Sequence, residues 1–262
     1  MFDSHCHLTD LDRPDQALTE ARAAGVAALL TCGVNAESNR AVLALRARHP
    51  GLACALGLHP WYADERVEEV LDQIEAEHPL AVGEAGLDFW SDPPVHPRER
   101  QHVVLEAQLQ LAGRLGLPVT LHSRRAVNEL LGVVRNHPRV RGALHAFSGS
   151  LEQARSFVDL GYLVGVGGGV TRERARRIRR TAAQLPLECI VLETDAPAIG
   201  MDIVEPPSVR PQHVQRVAEV LAQLRGIEVA EVEAQTDANA RMLFGPDAFA
   251  TSPVAPAEEE PA

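Results

Sequence analysis

The sequence predicts an α/β fold, a (β/α)8 TIM barrel built as one domain. Three observations lead to this prediction. Eight short runs of apolar and β-branched residues alternate with longer segments of helical periodicity, which is the pattern of repeated βα units around a parallel sheet. The length of 262 residues is close to that of one such barrel. Side chains of metal-binding types follow five of the eight runs, and a barrel brings all its strand ends to one rim.

The predicted strands and helices alternate along the chain. The strands cover Phe2 to His7, Val26 to Cys32, Leu52 to Leu58, Leu80 to Glu84, Pro118 to His122, Gly142 to Ala146, Tyr162 to Val166 and Cys189 to Thr194. The helices lie near Asp15 to Ala24, Ala36 to Arg48, Asp64 to Glu77, Pro97 to Leu115, Ala126 to Asn136, Leu151 to Leu160, Glu173 to Gln184, Pro211 to Arg225 and Glu231 to Leu243.

The end of the chain differs in composition from the rest. Residues 251–262 read TSPVAPAEEEPA, which is rich in Pro, Ala and Glu and has no periodicity. Such a segment cannot bury enough apolar surface to fold. We therefore expect a barrel domain over residues 1–250 and a disordered tail over residues 251–262.

The charge of the chain limits its modes of nucleic-acid binding. The formal net charge is −11, and all 25 basic residues are arginines. A general nucleic-acid coat is excluded, because nonspecific binding to phosphates needs clustered basic residues. A nuclease is not excluded, since metal ions in a small pocket can hold one phosphodiester locally.

The termini and cysteines indicate a cytoplasmic protein. The first residues, MFDSHCHL, contain no signal sequence, and no apolar run approaches the roughly 20 residues of a membrane span. Cys6, Cys32, Cys54 and Cys189 lie in apolar runs without a CxxC pair. We expect them to be reduced core residues.

The first strand ends with two histidines that form a candidate metal site. His5 and His7 are two residues apart, so a strand directs both imidazoles to the same face. One metal ion could accept both nitrogens. Taken alone, such a pair is also compatible with two ordinary surface histidines, but its position at a strand end favours the metal site.

The other candidates follow later strands. Glu84 follows the apolar segment LAVG, where an unpaired carboxylate would be costly. His122 and His145 each follow an apolar strand, and Asp195 follows the eighth. Each residue alone could be a cap, a salt-bridge partner or a core histidine. Their shared location at strand ends predicts one metal centre.

Two further residues near these strand ends are ambiguous. Glu193 shares a strand face with Asp195, so either carboxylate could bind a metal while the other supports it. His59 follows the third strand and is expected to contact substrate, or to pack beside Trp61. By contrast, His49, His78 and His137 each precede a proline at a helix end and are predicted to be structural.

Seven motifs occur in an order that resembles the TatD family of metal-dependent hydrolases. The resemblance extends from Phe2 to Phe244. The motifs are DSHCHL, GLHP, GEAGLD, LPVTLHSRRA, HAFSG, ETDAP and NARMLF. One of them alone would be weak evidence, whereas seven in order are specific.

The resemblance implies a barrel of the metal-dependent hydrolase type that holds two divalent ions. His5 and His7 would bind one ion, Glu84 would lie between the two, and Asp195 would join the first ion and orient a metal-activated water. The remaining ligands would be His122 and His145. Asp195 and Glu84 would be the catalytic carboxylates. Imidazole and carboxylate ligands suit Zn²⁺ or Mn²⁺, while Mg²⁺ is common among such exonucleases, so the metal stays open.

The resemblance also implies a substrate. The expected activity is a deoxyribonuclease that acts 3′ to 5′ on single-stranded DNA ends, in a monomer or small homo-oligomer. His59, Asp88 and Arg124 would line the substrate side of the pocket.

Two positions depart from the family pattern. Arg125 stands where an acidic residue is common. The segment Ala198 to Val209, which reads AIGMDIVEPPSV, replaces a more polar stretch and keeps only Glu205 and Pro206. A basic residue that contacts phosphate is therefore expected to be missing from this loop.

Two alternatives to a nuclease remain open at this point. The same two-metal site could hydrolyse a small-molecule amide, lactone or ester, although relatives that need a carbamylated lysine are excluded because the chain has no lysine. The barrel could also be a non-catalytic scaffold, which the complete ligand set disfavours.

One arginine-rich run is a further candidate for nucleic-acid contact. Residues 172–180 read RERARRIRR, and their spacing favours a solvated helix face over a binding patch. Arg172 lies nearest the predicted rim and is the better candidate. Arg176 and Arg177 are expected to face solvent.

Overall fold

A computed structural model describes residues 1–246 of the chain. The predicted tail over residues 251–262 lies outside the described residues, so the division into a barrel domain and a tail stays a prediction. None of the helices among the described residues combines the length and apolarity that a bilayer crossing requires.

Eight parallel strands form the predicted barrel. They pair in chain order from β1 to β8. The strands are β1 (Phe2–Cys6), β2 (Ala28–Cys32), β3 (Ala53–Leu56), β4 (Ala81–Asp88), β5 (Val119–Arg124), β6 (Gly142–Leu144), β7 (Tyr162–Val166) and β8 (Ile190–Leu192).

Nine α-helices follow the strands within the described residues. Their bounds are α1 (Pro14–Ala23), α2 (Ala36–Arg48), α3 (Val67–Glu77), α4 (Arg98–Leu115), α5 (Val127–Val134), α6 (Leu151–Val158), α7 (Arg176–Gln184), α8 (Val214–Arg225) and α9 (Val229–Phe244). The prediction of alternating βα units is confirmed. The bounds of α2 and β7 agree with it to the residue, and α7 begins three residues later than predicted, after a short 3-10 turn (Gly168–Thr171).

The first and last strands meet along a seam at the rim of the barrel. The Asp195 N–H donates to the His5 carbonyl oxygen at 2.9 Å, and the His7 N–H donates to the Ala196 carbonyl oxygen at 2.7 Å. Asp3 strengthens the seam, since its carboxylate accepts from the Thr194 N–H at 2.9 Å and the Thr194 hydroxyl at 2.6 Å. The loop that contains Asp195 is therefore held beside the two histidines of β1.

The inside of the barrel is packed with small and apolar side chains. A buried cluster includes Ala53 and Ala55 of β3, Ala81 of β4 and Ala143 of β6. At the N-terminal end of the barrel the Phe2 ring packs on Phe244 of α9, with ring centroids 5.8 Å apart. This packing closes the end opposite the candidate metal centre.

The fourth strand differs from its prediction. It was expected to end at Glu84, which is wrong, because β4 continues to Asp88 and pairs with β5 as far as Asp88 opposite Arg124. The register shifts between Val82 and Ala85. At Gly86 a Cβ atom would collide with the His122 carbonyl oxygen, so only glycine permits this close approach.

The structural histidines and the cysteines agree with expectation, with one exception. The His49 ring contacts the Asp15 carboxylate at 2.5 Å and the His137 ring contacts Glu106 at 2.6 Å, and His78 ends α3. All four cysteines are free, and three are buried. Cys189 is only partly buried, so the prediction of a core position is wrong for that residue.

Candidate metal centre

Glu84 lies at the centre of a buried cluster of histidines at the C-terminal rim. Its Oε2 atom is 3.3 Å from both His5 Nε2 and His7 Nε2. Its Oε1 atom is 2.9 Å from His122 Nδ1 and 2.8 Å from His145 Nε2. Each oxygen of one carboxylate therefore faces its own pair of imidazoles.

Asp195 completes the side of the cluster that contains β1. Its Oδ1 atom lies 3.3 Å from His7 Nε2 and 3.8 Å from His5 Nε2. This oxygen is buried, and no donor satisfies it with hydrogen-bond geometry. Asp195 has a positive φ of 52°, a backbone conformation that costs energy for residues other than glycine. The loop after β8 thus places the carboxylate against the two histidines.

The donor set fits divalent cations. His5 Nε2 and His7 Nε2 are 3.3 Å apart, and Glu84 and Asp195 oxygens lie against the same two nitrogens. Ring nitrogens and carboxylates that converge in a buried site are the ligands that Zn²⁺ and Mn²⁺ prefer. A cation would also satisfy the Asp195 oxygen that has no hydrogen-bond partner. The residues are therefore able to hold a metal ion.

Hydrogen bonds on the far side of the rings orient two of the ligands. His7 Nδ1 lies 3.0 Å from the Cys32 carbonyl oxygen, which only accepts, so His7 donates there and Nε2 is the ring nitrogen left to face Glu84. His122 Nε2 lies 3.1 Å from Asp88 Oδ2, so Nδ1 is the nitrogen that faces Glu84 in the same way. Such partners fix the tautomer of a metal-binding histidine. His5 Nδ1 contacts the Thr120 hydroxyl at 2.9 Å.

The cluster keeps both carboxylates ionised. Burial by itself would raise the pKa of Glu84, but the positive charge of His145, with hydrogen bonds from His122 and His145, holds it well below its usual value. Burial also acts to raise the pKa of Asp195, but the His7 ring beside it and the charges of nearby histidines outweigh burial and lower this pKa. Both groups are therefore anionic and able to bind a cation.

The pKa values of two histidines in the cluster are shifted in opposite directions. Burial lowers the pKa of His5 to about 4. Burial also acts to lower the pKa of His145, but the Glu84 charge and hydrogen bond raise it to about 9. The anionic cluster thus attracts positive charge, which a proton or a metal cation can supply.

Comparisons with known proteins identify the family of this chain. A family model described as TatD related DNase matches residues 2–245. The chain belongs to this family.

Two relatives align over almost the whole chain. The TatD-family protein named "uncharacterized metal-dependent hydrolase YjjV", from Escherichia coli K12, is 39% identical over 93% of this chain and 97% of its own length. The "3'-5' ssDNA/RNA exonuclease TatD" of Erwinia tasmaniensis is 36% identical over 93% of this chain and 99% of its own length.

The crystal structure of YjjV, described as a TatD homolog, has the same fold. It superposes with a TM-score of 0.86 at 38% identity, and the match covers 93% of this chain and 97% of that chain. The resemblance to the TatD family and the barrel fold are both confirmed.

The TatD resemblance assigns three residues to the substrate side of the pocket, and the first of them is His59. His59 Nδ1 accepts from the Trp61 N–H at 3.1 Å, and its Nε2 lies 3.4 Å from Glu84 Oε1. Because Nδ1 is the acceptor, the proton of the neutral ring is on Nε2. Burial lowers the pKa of His59 to about 3, which keeps the ring neutral. His59 is thus placed as a hydrogen-bond donor to the cluster.

Asp88 contacts the His122 ring, whereas Arg124 lies on the wall of a cavity. The Asp88 carboxylate accepts from Trp61 Nε1 at 2.9 Å and from the Trp90 N–H at 2.8 Å, in addition to His122. Arg124 lines a cavity of about 390 Å³ together with His122, His145 and Asp195. The substrate roles of His59, Asp88 and Arg124 stay predictions.

Two acidic residues support the site from behind. Glu193 is buried and accepts from the Ala146 N–H, while its Oε2 atom has no partner. Burial raises the pKa of Glu193 to about 8. Asp3, which anchors the Thr194 backbone, was not among the predicted site residues. Its alternation with His5 and His7 along β1 was the signal that could have identified it.

The loop that departs from the TatD pattern contacts the arginine-rich run. Arg172 Nη2 lies 3.2 Å from Glu205 Oε2, and Ala198 and Ile199 line the cavity above the cluster. Arg172, the predicted candidate for backbone contact, is therefore paired with an acidic residue.

Proposed function

We propose that the chain is a divalent-metal-dependent nuclease that removes nucleotides from single-stranded DNA ends in the 3′ to 5′ direction. The observation that supports this most strongly is the Glu84 carboxylate with a pair of histidines at each oxygen. The similarity to a relative named as an ssDNA/RNA exonuclease supports the substrate class.

The residues divide into two groups around Glu84. We assign His5, His7 and Asp195 to one ion and His122 and His145 to the other, with Glu84 between them. Zn²⁺, Mn²⁺ and Mg²⁺ are the candidate ions. When bound, two such ions lower the pKa of an attacking water and polarise the phosphoryl oxygen.

Asp195 is the residue best placed to receive a proton. Its carboxylate is ionised, its Oδ1 atom has no hydrogen-bond partner, and it lines the cavity that opens above the cluster. A carboxylate in that position can orient a water and take its proton as attack occurs. We assign Arg124, on the cavity wall, to the phosphate, and His59, whose Nε2 proton is directed to Glu84, to the support of that carboxylate.

The test combines metal analysis with substrate comparison. Purified protein should contain about two divalent ions per chain in the assigned two-ion site. With that metal restored, it should shorten a 5′-labelled single strand stepwise, and it should not turn over amide and lactone substrates. Preferential hydrolysis of a lactone or amide would replace the nuclease with a small-molecule hydrolase on the same site.

Two variants test the residue assignments. Glu84→Ala and Asp195→Ala should keep the fold and lose about 10²–10⁴-fold in activity, the range for loss of an acid–base group. Asp15→Ala, which removes a surface carboxylate paired with Arg48, is the matched control and should keep full activity. Retained turnover in both site variants would overturn the assignment. The cytoplasmic location and the oligomeric state stay predictions.

A further inference from the structure

A second cavity adjoins the one above the metal centre. It has a volume of about 600 Å³ and shares Arg124 and Ser148 with the first cavity. We name it the basic groove and define it by six of its lining residues, which are Trp90, Arg124, Arg125, Asn128, Gln153 and Arg177. The groove therefore leads away from the cluster over the surface between β5 and α7.

Two arginines of the groove lie against one indole. The Arg124 guanidinium lies 3.9 Å from the Trp90 ring centroid, and that of Arg125 lies 4.3 Å from it. Arg125 also donates to the Trp90 carbonyl oxygen at 3.3 Å. Stacking uses the flat face of a guanidinium and leaves N–H groups at its edge available for an anion. The two arginines are thus ordered before any ligand binds.

The backbone at Arg125 is adapted to this arrangement. Its φ is 54°, a left-handed conformation that is uncommon for residues other than glycine and asparagine. The turn brings two consecutive side chains onto the same indole, which extended backbone would direct to opposite faces. A strained backbone that is retained at a ligand cavity indicates a function at that position.

The charge of the groove contrasts with that of the chain. Three arginines line it, and its one acidic lining residue, Glu129, lies 3.8 Å from Arg98. Among the described residues, neither Arg124 nor Arg177 forms an ion pair or a side-chain hydrogen bond. The whole chain has a net charge of −11, so the groove is a local excess of positive charge on an acidic protein.

We propose that the basic groove is a second phosphate-binding site, which holds the strand on the side that leads away from the metal centre. Its ligand is a single-stranded polynucleotide with at least one phosphate beyond the one at the cluster. This inference rests on the proposed function and extends it, because it requires a chain substrate rather than a lone phosphodiester. DNA and RNA strands offer the same phosphates, and the test separates them.

The test uses charge reversal in the groove with a control on the same helix. Arg125→Glu and Arg177→Glu alter the groove, whereas Arg176→Glu alters an exposed neighbour that does not line it. Arg125→Lys keeps the charge but loses the guanidinium that contacts the indole. The probe is a fluorescein-labelled single-stranded 12-mer with phosphorothioate linkages, as DNA or RNA, bound to the metal-loaded protein and followed by anisotropy.

We expect each groove variant to weaken binding of the 12-mer about tenfold at low salt, and Arg176→Glu to leave it unchanged. Each lost phosphate contact should reduce the slope of log K against log salt by about 0.7, the value for single strands. Arg125→Lys should retain most of the salt slope and lose part of the affinity. Weakening with DNA, RNA or both supports the groove, and the pattern identifies the strand that it prefers.

A second substrate separates this inference from the proposed function. Hydrolysis of bis(p-nitrophenyl) phosphate, which is too short to enter the groove from the metal centre, should be unchanged in all four variants. If the wild-type protein hydrolyses no phosphodiester, the proposed function fails, while the binding measurement still tests the groove. If both groove variants bind DNA and RNA 12-mers as tightly as the wild type, the groove is not a phosphate site.

Discussion

The replacement of Asp88 by asparagine tests how the second pair of histidines is oriented. The Asp88 carboxylate accepts from three donors, which are His122 Nε2, Trp61 Nε1 and the Trp90 N–H. An amide has only one oxygen, so asparagine cannot serve donors on both sides. The variant therefore changes hydrogen bonding behind the metal ligand without changing the size of the side chain.

Either orientation of the new amide is unfavourable. If its NH2 group faces His122, the ring must accept at Nε2 and place its proton on Nδ1, the atom 2.9 Å from Glu84 Oε1. That tautomer cannot bind a metal through Nδ1. If the NH2 group faces the Trp90 N–H instead, two donors meet in a buried site, at a cost of about 1–3 kcal/mol.

We expect Asp88→Asn to weaken binding of the ion held by His122 and His145 by about 10–100-fold, the usual effect of losing such a partner. This corresponds to about 1.4–2.8 kcal/mol at 1.4 kcal/mol per tenfold change. The measurement is competition with a chelator, followed by metal analysis. Trp61→Phe removes one donor but keeps the His122 contact, and it should bind metal like the wild type.

An orienting role and a substrate role for Asp88 would change different kinetic constants. Loss of metal should reduce kcat at low metal concentration, and added metal should restore it. If Asp88→Asn keeps wild-type metal affinity and instead raises KM for an oligonucleotide, Asp88 contacts substrate, as the family resemblance implies. That result would refute the orienting role.

Two further predictions concern Glu193 and the glycine beside it. A Cβ at Gly165 would approach the Leu144 carbonyl oxygen to 2.7 Å and collide with Glu193, so Gly165→Ala should lower the free energy of unfolding by about 1–3 kcal/mol in urea titrations. Gly132 lies in α5, where an added Cβ would meet no heavy atom of another element within 4 Å. Gly132→Ala should therefore raise the free energy of unfolding by up to about 1 kcal/mol, and equal effects of the two glycine substitutions would contradict the prediction. Burial raises the pKa of Glu193 from 4.5 to about 8, so the folded metal-free protein binds this proton more tightly than the unfolded chain. The stability that Glu193 contributes should be complete below about pH 4.5 and be lost as the pH rises to about 8. In excess chelator, the urea midpoint of Glu193→Gln should therefore fall less between pH 5 and pH 8 than that of the wild type. An equal fall in both proteins would exclude Glu193 as the source of the pH dependence.

The difference between predicted and observed strands shows where local patterns are insufficient. The apolar run before Glu84 predicted a strand end, yet β4 continues to Asp88. Its continuation depends on pairing with β5 and on the close approach at Gly86 to the His122 backbone. Neither is visible in the periodicity of β4 alone, because both depend on a neighbour that is more than thirty residues away.

The sequence by itself determined the barrel and the set of candidate ligands. Strand and helix periods are local properties, and a barrel places every strand end on one rim, so His5, His7, Glu84, His122, His145 and Asp195 could be grouped before any coordinates were known.

Only the tertiary structure decided how these side chains face one another. The pairing of each Glu84 oxygen with two histidines, the partners that orient His7 and His122, and the convergence of Arg125 and Arg177 on one groove depend on closure and register. These features join residues that are distant in the chain, and their positions are set by packing of the whole barrel rather than by the residues next to them.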